Sequence, residues 1–313
     1  MIVRLGYVAL SKTLDITSSH SLNYSTFLKS NNDYQKLTNI INLNLESLNQ
    51  IIDYNIKNNI HFYRISSNLI PLATLKEINF NYTDNYRRLY QQIGTKIKNH
   101  NMRVDMHPDQ FTVLNSTKKE VLENALEILK YHYNVLEALD VKEKILILHI
   151  GSNVFGKKAS MIRFINNFNK LPEYLKKCIV VENDDKIFNI VDTLNICKKI
   201  DRPMVLDYHH YICNKDNIDI NNYYTEIFST WKITKPKIHF SSPKNNTKKD
   251  IRSHHEYINV DSFILFIEEI KHLNLDLDIM IEAKAKDEAL FRLIRQLKYK
   301  TKYKFIDDTT FEV

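Results

Sequence analysis

Short, nearly continuous apolar runs recur along the chain, and between them lie longer stretches whose apolar positions return every three or four residues. The runs are Ile2 to Val8, His61 to Ile65, Met102 to Met106, Lys144 to His149, Cys178 to Val181, Met204 to Asp207, Lys237 to Phe240 and Asp278 to Ile281. The amphipathic stretches are Tyr34 to Lys57, Tyr86 to Asn99, Lys119 to Leu139, Ala159 to Phe168, Ile190 to Ile200, Ile220 to Trp231, Val260 to Leu273 and Lys286 to Tyr299. Strands apolar on both faces belong to sheets covered on both sides, and eight strands alternating with eight helices predict an α/β fold, a single (β/α)8 barrel spanning residues 1–313. The stretches Ala9 to Asp33 and Ser241 to Asn259 read as long loops above the barrel mouth, where function concentrates.

Metal-ligating side chains stand where the strands end. His107, His149, Glu182, Asp207, His239 and Glu282 follow six of the eight runs, and in a barrel these ends converge on one mouth. His210, three residues after Asp207, and His254, in the loop after the seventh strand, reach the same place. Each alone is explained by an ordinary hydrogen bond; together, buried without a cation, they would be costly. Five imidazoles and three carboxylates exceed one tetrahedral site and suit two or three divalent ions, such as Zn or Mn. Glu182 is the expected bridging carboxylate. Clustered cations of this kind suit phosphodiester hydrolysis.

Composition narrows the setting. The chain has 313 residues, within the range of one barrel, and its hydrophobic fraction of 43% provides a core. A net charge of +7 permits a polyanionic partner, although abundant Asn, Ile and Lys beside four glycines also fit an A+T-rich coding bias. Three cysteines without a CxxC pair argue against a disulfide framework or zinc knuckle and fit a reducing cytoplasm. No long apolar run suggests a membrane span, and the N-terminus lacks an export-signal pattern.

The segments RLGYVA, YRISSNLIPLA, MHPDQFTVLNS, LHIGS, VENDD, LDYHH, PKIHFSSPK, RSHHEYI and MIEAKAKD resemble, in order and over nearly the whole chain, those of UV damage endonucleases. The resemblance implies a TIM barrel of the endonuclease IV-like and xylose-isomerase-like kind. It also implies three divalent ions, manganese foremost with Zn, Co or Mg as substitutes, and hydrolysis of the phosphodiester immediately 5′ of UV photoproducts in double-stranded DNA. A monomer without an obligate protein partner is expected. The implied ligands are the eight residues named above. Lys237 matches a lysine that can be carboxylated beside the metals, the alternative being pairing with a carboxylate. Gln110 and Phe111 match a pair that probes the duplex, with Phe for the commoner Tyr. Tyr7 matches an aromatic near the cleavage site, and Asn68 stands where some relatives carry His. Lys157, Lys158, Lys244, Lys248, Lys249 and Arg252 are expected phosphate contacts near the mouth, or else a solvated basic surface. His209 and His255 each neighbour a candidate ligand and are expected to face away from it.

Two alternative functions fit the same sequence. A divalent-metal sugar isomerase or epimerase would use the same barrel but fewer ions and a closed pocket. A lesion-binding protein without catalysis would keep the wedge and lose the nicking.

Overall fold

A computed structural model describes the chain except residues 31, 32, 76, 79, 233, 246, 248 and 249, so Lys248 and Lys249 lie outside the described residues. Eight parallel strands form the barrel: β1 (Ile2–Val8), β2 (Phe62–Ile65), β3 (Arg103–Met106), β4 (Leu146–His149), β5 (Ile179–Glu182), β6 (Met204–Asp207), β7 (Lys237–Phe240) and β8 (Leu277–Ile281). They are bonded in chain order, and the ring closes with β1 on β8, Val3 through Tyr7 opposite Leu277 through Ile281. A C-terminal strand, Thr310–Glu312, pairs antiparallel with the first residues of β1.

Alternation along each strand sorts the side chains into two cores. Outward residues such as Val3, Leu5, Tyr63, Leu148, Val181 and Ile238 join the large cluster beneath the helices. A smaller separate cluster joins Ile145, Ile147, Val180 and Val205, inward positions that lead on to His149, Glu182 and Asp207, with Trp231 of the turn after the helix Tyr224–Ser229. Trp231 donates its indole N–H to the Met204 carbonyl at 2.7 Å, satisfying its buried polar atom. The mouth residues therefore stand on a packed apolar layer.

The principal helices are α1 (Tyr34–Lys57), α2 (Arg87–Asn99), α3 (Lys119–Ala138), α4 (Lys157–Asn169), α5 (Ile190–Ile200), α6 (Tyr224–Ser229), α7 (Val260–Ile270) and α8 (Lys286–Lys300). The stretch expected as one helix from Ile220 to Trp231 divides into a 3-10 turn, Ile220–Asn222, and the short α6. The Asp219 side chain caps that turn by accepting from Asn221 N. Glycine usually supplies the left-handed residue that ends a helix. Here Asn59, Asn101, Asp140, Asp201 and Asn274 take it, with φ between 48° and 53°. Part of the asparagine content thus has a structural role. Among the described residues, no helix is long and apolar enough to cross a membrane.

Candidate metal centre

Local chemistry sets the rim. Asp207 ends β6 and also caps the helix that follows, its Oδ1 accepting from His210 N at 2.7 Å. A cap followed three residues later by a first-turn histidine places both side chains over the same spot. Asn183, just after Glu182, donates to the Asp207 carbonyl and accepts from Asp207 N, both at 2.9 Å, locking two strand ends together.

Glu182 is the hub. His107 Nε2 lies 2.9 Å from its Oε2 and His239 Nδ1 lies 2.7 Å from its Oε1, with His149 and His210 at 3.6 and 3.7 Å. His210 Nδ1 is also 3.7 Å from Asp207 Oδ2, and His239 Nδ1 is 3.4 Å from Glu282 Oε1. Three sets have atoms close enough to hold an ion: His107, His149 and Glu182; Glu182, Asp207 and His210; Asp207, His239 and Glu282. Glu182 and Asp207 each belong to two sets, so the three are linked.

The donor chemistry fits cations. His107 Nδ1 donates to the Pro108 carbonyl at 2.8 Å and His210 Nδ1 to that of Asn183 at 2.9 Å. Such bonds orient a ring and, in the neutral imidazole, leave Nε2 as a lone pair for a metal. His107 Nε2 then faces a Glu182 oxygen, an arrangement that a cation between the two would satisfy. His149 Nδ1 and Asp207 Oδ2 are buried without a hydrogen-bond partner. Burial, together with Glu182 and Glu282, outweighs His210 and pushes the Asp207 carboxyl up. Burial depresses the His149 imidazole to about 4. For Glu182 burial is outweighed by His239 and His149, which hold its carboxyl well below the usual range.

His254 falls outside the three sets but lies at the rim, its ring 6.5 Å from that of His210. His209 is buried, 5.5 Å from the His254 ring, and His255 is exposed and bonded to Tyr257; neither joins the sets.

Two groups escaped the sequence reading. Arg64 on β2 sits opposite Asp105 on β3, to which Nε donates at 3.0 Å. Its Nη1 reaches Glu282 Oε1 at 2.5 Å and its Nη2 reaches His239 Nε2 at 2.6 Å. Burial opposes its charge, but Glu282, Asp105 and Glu182 keep it protonated. Asp105 also accepts from Lys237 Nζ at 2.5 Å. Their signal was parity: charged residues at inward positions of otherwise apolar strands.

Not every expected residue reaches the mouth. Tyr7 is fully buried among the outer core, and its hydroxyl donates to Asn55 of α1 at 2.8 Å. Its neighbour in register is Ile281, an outward position, so strand alternation turns it away from the cleavage site expected of it. Lys237 is inward and buried as expected, paired with Asp105; burial lowers its amine to about 8 despite that partner. Gln110 and Asn68 are exposed on loops after β3 and β2, and Phe111 stands 72% exposed. Lys157 is tied to Asp192 at 2.7 Å, Lys244 lies 3.5 Å from Asp250, and Arg252 lies 3.5 Å from Asp185. These three expected phosphate contacts already have carboxylate neighbours. Lys158 is exposed.

Comparison with known proteins agrees with this geometry. The profile of the UV-endonuclease UvdE family matches residues 3–311. The UV DNA damage endonuclease of Bacillus cereus (strain G9842) is 39% identical over 303 residues, 95% of both chains. That of Bacillus cereus (strain 03BB102) is 38% identical and aligned over the full length of both. The crystal structure of SacUVDE superposes with a TM-score of 0.87 at 32% identity, covering 95% of this chain and 98% of that one. Endonuclease IV from Thermus thermophilus, at 10% identity and a TM-score of 0.57 over 95% of this chain and all of the other, shares the fold. A chain that carries the family's pattern from end to end, on the same barrel, belongs to the UV-endonuclease UvdE family.

Proposed function

We propose that this protein cuts duplex DNA at the phosphodiester immediately 5′ of UV photoproducts. Cyclobutane pyrimidine dimers and 6-4 photoproducts are the central substrates, and abasic sites are secondary ones. The observation that carries the reading is the linked triplet of ligand sets sharing Glu182 and Asp207 beneath a rim with an exposed Phe111. Three divalent ions, manganese foremost, would be held by His107, His149, Glu182, Asp207, His210, His239 and Glu282, with His254 completing a shell from the rim. Bound there, they would polarise the phosphoryl group and lower the pKa of the attacking water.

The chain's own residues do the rest. Arg64 fixes the Glu282 carboxylate and Asn183 fixes the main chain that carries Asp207, limiting reorganisation during the reaction. Gln110 and Phe111 enter the duplex where damage has weakened stacking and pairing, with Asn68 on the neighbouring loop as a hydrogen-bonding contact. Lys237 is a buried amine whose neutral fraction grows near pH 8, the form that accepts carbon dioxide. A carbamate resonance in protein equilibrated with 13C-bicarbonate would establish that modification, and its absence in active enzyme would exclude it. A monomer without an obligate protein partner belongs to the same proposal. The free thiols of Cys178, Cys197 and Cys213 support work in a reducing cytoplasm.

Glu182→Gln tests the hub. Metal content should fall, and incision of irradiated plasmid should drop by roughly 10³-fold, the loss of several kcal/mol of transition-state stabilisation. Incision at the wild-type rate by the variant would remove Glu182 from the mechanism.

A further inference from the structure

Among the described residues, two phenylalanines stand exposed, Phe111 and Phe155, at 72% and 81%. Phe111 lies in the loop after β3 and Phe155 in the loop after β4, the strands that end near His107 and at His149. Those two imidazole rings are 5.2 Å apart, so the loops rise side by side at the mouth. An exposed aromatic costs solvation, and Phe155 carries a second cost. Its φ is 63°, in the left-handed region that bulky side chains avoid, and Gly156 follows at 88°.

Hydrogen bonds hold that conformation in place. The Asn115 side chain, on the Phe111 loop, accepts from Ser152 N at 2.9 Å and donates to Ser152 O at 2.7 Å. Arg163 of α4 donates to Asn115 O at 3.0 Å and also to Val154 O, while its guanidinium carbon lies 5.9 Å from the Phe155 ring centre. Ser160 Oγ donates to the same Val154 carbonyl at 3.1 Å. At Gly151, φ 108°, an added Cβ would come within 2.7 Å of both Asn115 Oδ1 and Val113 Cγ1, so the loops meet too closely for a side chain. The two loops that carry the aromatic tips are therefore tied together beside the mouth. Lys118, at the end of the Phe111 loop, and Lys158, in the first turn of α4 just after Phe155 and Gly156, are both exposed.

We propose that Phe155 is a second aromatic contact to DNA, stacking on a nucleobase unpaired at the lesion while Phe111 fills the duplex, and that Asn115 and Arg163 are positioning residues that set the distance between the two rings. A rigid ring beside lysines matches a polyanion whose bases have been unstacked, since every base offers a π-face and the backbone meets the cations. This inference rests on the incision function proposed above.

The test is single-turnover incision of a duplex oligonucleotide with one thymine dimer, with enzyme in excess and manganese present. Phe155→Ala should raise the enzyme concentration for half-maximal rate by roughly 5- to 150-fold, the range expected for one lost stacking contact. The saturating rate should stay within about threefold, a loss of binding rather than chemistry. Phe155→Tyr should keep wild-type affinity, and Phe155→Leu should behave like Ala. Phe155→Gly should show a thermal midpoint at or above that of wild type, because strain is released while binding is lost. Unchanged half-saturation in Phe155→Ala, or a large fall in its thermal midpoint, would overturn the proposal. If wild-type protein fails to incise the duplex at all, the underlying function fails instead.

Discussion

Replacing Arg64 by Met removes one charge from a place where that charge is shared three ways. The guanidinium bonds Asp105 at 3.0 Å, Glu282 at 2.5 Å and His239 at 2.6 Å, and its side chain is almost wholly buried. The unmodified Lys237 ammonium still neutralises Asp105 in the variant, but Glu282 loses its main cationic partner. Leaving a buried carboxylate unpaired costs about 3–5 kcal/mol. The cost should depend on metal, because a divalent ion held beside Glu282 would supply the missing charge. Urea unfolding in chelator and in manganese, monitored by circular dichroism, separates the cases. In chelator the variant should lose about 3–5 kcal/mol, and in manganese the gap should narrow. A control is Arg87→Met, which breaks an ion pair to Asp84 that is mostly solvated. That change should leave the unfolding curve close to that of wild type. If Arg64→Met stays within about 1 kcal/mol of wild type in chelator, Arg64 is not neutralising the centre and the reasoning fails.

Other expectations follow from groups outside the ligand sets. His132 is buried in α3, and burial lowers its imidazole to about 4 from an ordinary 6.5. The unfolded chain binds the extra proton in that window, so stability is full above about pH 6.5 and falls by about 3 kcal/mol as pH drops through 4. Comparing metal-free wild type with His132→Gln by thermal melts over that range should show this segment vanish, and parallel curves would refute it. The lysines also divide. Lys158→Ala should reduce the salt-dependence slope of DNA binding by about 1, whereas Lys157→Ala, whose amine is tied to Asp192, should leave it nearly unchanged. Equal slopes for the two variants would contradict that distinction.

The barrel and the ligand ends were legible because both follow from strand periodicity. All eight apolar runs became strands, and six ended on, or within one residue of, the residues now gathered at the mouth. Legibility ended where two residues of one strand had to be told apart. Tyr7 and Gly6 are neighbours, but inward positions on β1 follow Arg4 and Gly6, which places Tyr7 against α1. The same parity would have flagged Arg64 and Asp105, charged residues facing into a barrel where apolar packing is the rule. Phe155 was invisible for a different reason. Its exposure depends on a left-handed backbone held by Asn115 and Arg163, a contact between two loops distant in sequence. The basic loop residues Lys244 and Arg252 could not be assigned by composition, because their carboxylate neighbours come from the fold. Of the two alternatives, the sugar-isomerase reading shared only the barrel, and the family assignment removes it. The non-catalytic reading is decided by nicking.

The central claim joins this metal centre to a cut beside a lesion. The most direct measurement is incision of a duplex carrying one defined photoproduct at a known position, with both strands end-labelled. The account predicts a single cut at the phosphodiester immediately 5′ of the photoproduct, absent in chelator and restored by manganese. No cut from metal-loaded protein, or equal cutting of the undamaged duplex, would contradict it.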